Sequence, residues 1–224
     1  KGRKAEDMKK ELSYFSIEGA FGGNQDWFTN VVMHFGGCAA ATACDSSIYL
    51  AREKGLTRLY PFDRNALNKK DYIAFSQKMK PFLRPRVHGV CRLWMYTEGF
   101  GNYLKEVYQE EKIPLKMEEF SGDHTWQEAA EFIREKIDRG FPIPCLLLEH
   151  QNRKKFEDFI WHWFLLTGYE SREEDGQFLV QTGTYGEALW FSLEEMWNTG
   201  FEEKGGLIGY EIPPQGLRMA GDSV

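Results

Sequence analysis

No apolar run in this sequence reaches the roughly 18 to 20 residues that a membrane-spanning helix needs. An excess of positive charge is missing as well: 28 Lys and Arg stand against 34 Asp and Glu, a formal net charge of −6. No basic patch alternates with aromatic residues, so nucleic acid is not an expected partner. Cysteine is scarce. Cys38, Cys44, Cys91 and Cys145 form neither a CxxC pair nor a regular framework, which argues against a disulfide scaffold and fits a reducing compartment. Repeats and low-complexity linkers are also lacking, so residues 1–224 read as a single domain. The start, "KGRKAEDMKKEL", is charged with no apolar core behind it. No signal peptide is visible there, and a cytoplasmic location is expected. The first residue is Lys1 rather than Met, which leaves open an export signal trimmed from upstream.

What the chain does have is aromatic bulk: 15% Phe, Trp and Tyr, with 17 Phe and 7 Trp. Such content suits a core or groove built from large rings. From Cys38 the pattern is helical, with Ala41, Cys44, Ile48 and Ala51 on one face, ending near Gly55. Residues 57–70 read as loop. "KKDYIAFSQKMKPFL" and "TEGFGNYLKEVYQEE" are the next helix candidates. A further helix follows the capping box of Thr125 and Glu128 and ends at Gly140 and Pro142. The character then changes. "PIPCLLLEH" and "FIWHWFLLTGYE" read as strands, "QFLVQT" as a hairpin partner across the charged turn "SREEDG", and "GGLIGYEI" as a last strand. "SLEEMW" reads as a short helix capped by Ser192 and Glu195. Helices first and an antiparallel sheet second give an α+β fold, with a helical half over about 1–140 packed on a sheet half over about 141–215. A cleft between two such halves is a favoured place for a site.

The stretch "HFGGCAAATACDSSIYLA" places Cys38 directly after two glycines and at the start of the best helix-forming run. Free N–H groups of a first helical turn and the helix dipole favour thiolate over thiol there. Gly36 and Gly37 leave room for a substrate carbonyl, and Ala39, Ala40 and Ala41 let the helix pack deeply. The same pattern also suits a plain buried helix start. Of the five histidines, His162 stands out, because it opens a strand of very large apolar residues, "WHWFLLTGY". An imidazole in such a strand costs desolvation unless it is paired, and a thiolate is one such partner. The bland alternative is a core histidine satisfied by hydrogen bonds. His34 and Cys38 have the spacing of a metal pair, but two further ligands are not evident, so neither metal nor cofactor is expected.

With "GGCAAATA" at a helix start and "HWFLLTGY" much later, the chain resembles the papain-like cysteine peptidase superfamily, and most closely its bacterial C39-like branch. The resemblance spans about residues 25–200, with "FPIPCLLLEH" as the strand before the histidine strand. It implies a papain-like cysteine proteinase fold and a cysteine peptidase or amide hydrolase. In that scheme Cys38 and His162 form a thiolate–imidazolium pair that attacks a peptide or other amide or ester carbonyl through a thioester. The family's third residue, an Asp or Asn that orients the histidine, maps to "LVQTGTYG". Thr182 stands at its position with Gln181 beside it, and neither supplies a negative charge. The family's oxyanion-hole Gln maps to Gln25 in "FGGNQDWF", thirteen residues before Cys38 and farther than usual. The Cys38 N–H is the second donor.

Two other functions stay in view. One is an acyl- or peptidyl-transferase on the same fold, in which an amine rather than water resolves the thioester. The other is a non-catalytic binding module with a degraded triad. "GTYGE" and "GGLIG" lack the Gly-Lys-Ser/Thr ending of a phosphate loop and read as turns.

Overall fold

A computed structural model of the protein describes residues 8–85, 89–109, 111–172 and 174–214. The "SREEDG" turn therefore lies partly outside the described residues. In chain order the elements are β1 (Met8–Glu11), β2 (Ser16–Ile17), β3 (Ala20–Phe21), α1 (Val31–Gly36), α2 (Cys38–Glu53), α3 (Lys69–Met79), α4 (Leu93–Tyr108), β4 (Lys116–Ser121), α5 (Trp126–Asp138), β5 (Ile143–Leu147), α6 (Arg153–Phe156), β6 (His162–Arg172), β7 (Gln177–Thr184), β8 (Glu187–Ser192), α7 (Leu193–Trp197) and β9 (Gly205–Glu211). The fold is mixed, with helices packed on a seven-stranded antiparallel sheet of order β4-β9-β5-β6-β7-β8, to which β1 adds by pairing with β6. Among the described residues no helix is long and apolar enough to cross a membrane.

The expected division into a helical and a sheet half is softened by β1 and β4, which join the sheet from the first 140 residues. β4 and β8 close the two ends of the strand order. Edge strands are covered less completely, so "KMEEFS" and "EALWFS" show no clean apolar alternation. The capping box at Thr125 forms as expected: its side chain accepts from the Glu128 N–H, and the Glu128 carboxylate accepts from the Thr125 N–H.

Helix α2 is buried on nearly every side rather than along one stripe. Its serines tolerate this because Ser46 Oγ and Ser47 Oγ donate back to the carbonyls of Thr42 and Ala43, each at 2.8 Å. Tyr210 on β9 meets α4 through a hydrogen bond to Tyr96 and an edge contact with Phe100. Its neighbour Gly209 faces the other side, where Phe132 and Lys136 of α5 press against it. The sheet is thus covered on both faces, by α4 on one and α5 on the other, and α2 runs against β6.

The loop 22–25 is held close to α2 and α3. A methyl group added at Gly23 would lie 1.9 Å from Cζ of the fully buried Tyr72. Gly23→Ala is therefore expected to lower stability by about 1–3 kcal/mol through overpacking, read as a reduced midpoint in urea unfolding. An unchanged midpoint would mean that the loop packs less tightly than described.

Candidate active site

The two glycines before Cys38 answer a steric demand. Helix α1 runs straight into α2, and Gly37 N–H donates to the Met33 carbonyl at 2.9 Å. A Cβ at Gly37 would stand 2.3 Å from that same carbonyl oxygen. Met33 is fully buried and anchors α1, so the tight turn cannot relax outward. The result sets Cys38 at the first position of α2. Burial raises the thiol pKa, against the N–H groups of Trp163, Ala39 and Cys38 itself, which favour the thiolate. The last β6–β7 pair on this side is Leu165–Gly183. Beyond it the β7–β8 hairpin turns away, which leaves the Trp163 N–H for the sulfur instead of for a strand partner.

His162 opens β6 and is buried. Its Nε2 lies 2.7 Å from Thr184 Oγ1, so Nδ1 is the ring nitrogen left free. Its ring lies parallel to that of Tyr185, with centroids 4.8 Å apart and planes 4° apart. Burial pushes the imidazole pKa down to about 3. Both shifts favour the uncharged thiol and imidazole over the ion pair expected from the sequence.

The residues expected to orient His162 are occupied elsewhere. Thr182 Oγ1 donates to the Leu189 carbonyl at 3.2 Å, and Gln181 Oε1 accepts from Thr167 Oγ1 at 2.9 Å. The cause is register: Thr182 sits opposite Leu166, and a bulge between Leu166 and Gly168 sets Gln181 opposite Gly168. The residue that reaches the imidazole is Thr184, two positions further, at the end of β7. "GTYGE" is a turn as expected, with φ values of 51° at Tyr185 and 75° at Gly186 that suit a tight hairpin, whereas "GGLIG" is not a turn but the first part of β9. The sequence carried a signal there, because Thr182 and Thr184 share a strand face, but Tyr185 had no role assigned.

Gln25 and Cys38 do come together, along with His162, Thr184, Tyr185, Thr42 and Asp45, around one cavity with about 280 Å³ of atom-free space including its mouth. The enclosed part holds about a single water-sized group. Gln25 Nε2 donates to the His34 carbonyl at 2.7 Å, so that nitrogen is already engaged. The hairpin tip is tied to the same loop, as Asn24 Nδ2 donates to the Tyr185 carbonyl and Gly186 N–H to the Gly23 carbonyl. Asp45, two turns along α2 from Cys38, holds this loop from below: its carboxylate accepts from Gly23 N–H and, at 2.9 Å, from Tyr14 OH. Burial raises its pKa to about 6 in spite of hydrogen bonds from Tyr72, Gly23 and Tyr14.

Among the described residues, His34, His124 and His150 do not line this cavity. Asn152 N–H donates to His150 Nδ1, so Nε2 carries the proton and donates to the Glu195 carbonyl, which makes His150 a satisfied core residue. His124 stacks on Phe120, and the His34 ring meets Phe35 edge-on. Among the described residues no group of three His, Cys, Asp or Glu is arranged to hold a metal ion. Neither a protein-family model nor a curated protein sequence matches the chain.

His162 and Asp45 bear on stability with opposite signs. The folded-state pKa of His162, about 3, lies below its ordinary 6.5, so its contribution is complete above pH 6.5 and is lost as pH falls toward 3. The folded-state pKa of Asp45, about 6, lies above its ordinary 3.8, so its contribution is complete below pH 3.8 and is lost as pH rises through 6. Between those limits the two offset each other. Asp45→Asn removes the offset, and its Tm should fall more steeply than that of wild type as pH drops from 6 to 4. Parallel Tm profiles across that range would show that Asp45 does not titrate as described.

Proposed function

We propose that the protein is a cysteine hydrolase of amide bonds, with a papain-like arrangement of the reacting groups. The observation that carries this reading is the meeting, at one small cavity, of a helix-first cysteine, whose thiolate the backbone N–H groups of Trp163, Ala39 and Cys38 favour, and a histidine whose far nitrogen is held by Thr184. Sγ of Cys38 attacks the substrate carbonyl while Nδ1 of His162 takes its proton. The S–C bond forms and the C–N bond breaks. His162 passes the proton to the departing nitrogen, and water then cleaves the thioester, releasing the acid and restoring the thiol. Backbone N–H groups supply the oxyanion stabilisation. Thr184 orients His162, and Tyr185 limits the tilt of its ring. The ion pair is a state entered during attack, because burial favours both neutral forms beforehand. Resolution by an amine in place of water makes the same site a transferase.

One observation favours a second reading, a binding module that kept this arrangement. Burial drives Cys38 up and His162 down, both away from charge separation.

The two separate in one experiment, the pH dependence of Cys38 alkylation by iodoacetamide, mapped by mass spectrometry. For a hydrolase, Cys38 labels in the folded protein near pH 7, at least tenfold slower in His162→Ala and slower in Thr184→Val; general-base help is typically worth about 10²–10⁴. Labelling only above pH 9, equal in all three proteins, would sink the hydrolase and leave the binding module.

A further inference from the structure

Gln25 is the anomaly of the site. It is only 6% exposed, and its Oε1 is buried with no hydrogen-bond partner. Buried acceptors are rarely left in this state, and each exception calls for an explanation. The orientation of the amide is not interchangeable. Its nitrogen lies 2.7 Å from the His34 carbonyl oxygen, and turning the amide over would set two acceptors face to face at that distance. The His34 carbonyl is itself fixed, because Met33 anchors the helix that carries it. The engaged end of the amide is thus the donor, and the free end is the acceptor. Gln25 borders the same water-sized cavity as Cys38 and His162.

The geometry points to Gln25 Oε1 as a substrate-recognition acceptor that takes an N–H carried next to the attacked carbonyl, so that the site selects amides over esters. This rests on the reading of Cys38 and His162 as the reacting pair, and it reverses the role expected for Gln25 from the sequence. An oxyanion needs a donor, and the backbone N–H groups of Cys38, Ala39 and Trp163, which favour the thiolate, are the donors beside the reacting sulfur. What these donors leave unread is the atom beyond the carbonyl. An amide presents N–H there, and an ester presents an oxygen with no hydrogen. Facing Gln25 Oε1, the ester oxygen brings two acceptors together and leaves the buried one unsatisfied, and sites built to bond an N–H discriminate strongly on this ground. The cavity gives little room for the partners to turn away from each other.

A pair of isosteric alkylating probes tests the assignment without a known substrate. N-methyl-2-iodoacetamide and methyl iodoacetate differ at N–H against O, and glutathione reports their intrinsic reactivity difference. In wild type the amide-to-ester rate ratio at Cys38, divided by that of glutathione, should exceed one by about tenfold, the scale of one buried unsatisfied acceptor. Gln25→Leu should bring the ratio back to that of glutathione. A wild-type ratio no greater than that of glutathione overturns the assignment by itself, whether or not the variant folds. A raised ratio that survives in folded Gln25→Leu overturns it too. His162→Ala separates this from the parent reading: Cys38 labelling that depends on His162 but shows no N–H preference removes the role of Gln25 alone. Labelling that ignores His162, or a folded protein inert to both probes, removes both.

Discussion

The Trp163 indole lies buried against Tyr96, ring centroids 4.6 Å apart, with its Nε1 donating to the Val90 carbonyl. That contact fixes how the start of β6 meets the helical layer, and the site follows from it. The backbone on one side of Trp163 leads to His162. Its own N–H is directed at Cys38, beyond the point where β7 stops pairing. Shifting this junction by one residue would exchange the strand faces and carry the imidazole away from the thiol. Aromatic rings tie α4 to two strands of the sheet, Tyr96 stacked on Trp163 of β6 and Phe100 edge-on to Tyr210 of β9.

Around that junction two loops converge on the start of α2, each tied to the other. The 22–25 loop is held from below by Asp45 and from above by the hairpin tip at Tyr185 and Gly186. The tip in turn sets Thr184 on Nε2 of His162 and lays Tyr185 over the ring. The groups that would carry substrate, proton and developing charge thus share one hydrogen-bonded frame. The frame includes a buried carboxyl group that titrates near pH 6 and an imidazole that stays neutral down to about pH 3. Sites of this kind favour charge only while it develops in the reaction, because the surroundings supply oriented N–H groups rather than water.

Local chemistry made much of this legible in advance. The capping box at Thr125 and the break at Gly140 delimit α5. The double glycine marks the start of α2, and the apolar runs mark β5 and β6. These signals depend on residues close in the chain, so a window of sequence contains all of them. The edge strands β4 and β8 escaped because their exposed faces blur the alternation. Helix α2 exceeded its expected single stripe because Ser46 and Ser47 satisfy their hydroxyls within the helix.

By itself the sequence determined that Cys38 begins a helix and that His162 begins a core strand, since glycine sterics and apolar patterning act over a few residues. Only the tertiary structure decided what touches His162. Thr184 replaces Thr182 and Gln181 because strand register and the bulge after Leu166 are long-range properties that no local pattern encodes. It also decided which end of the Gln25 amide is free, since that depends on a carbonyl nine residues away in the chain. The protonation states followed the same rule. A helix start argues for thiolate and a paired imidazole argues for charge, but burial is a property of the whole fold, and here it outweighs both.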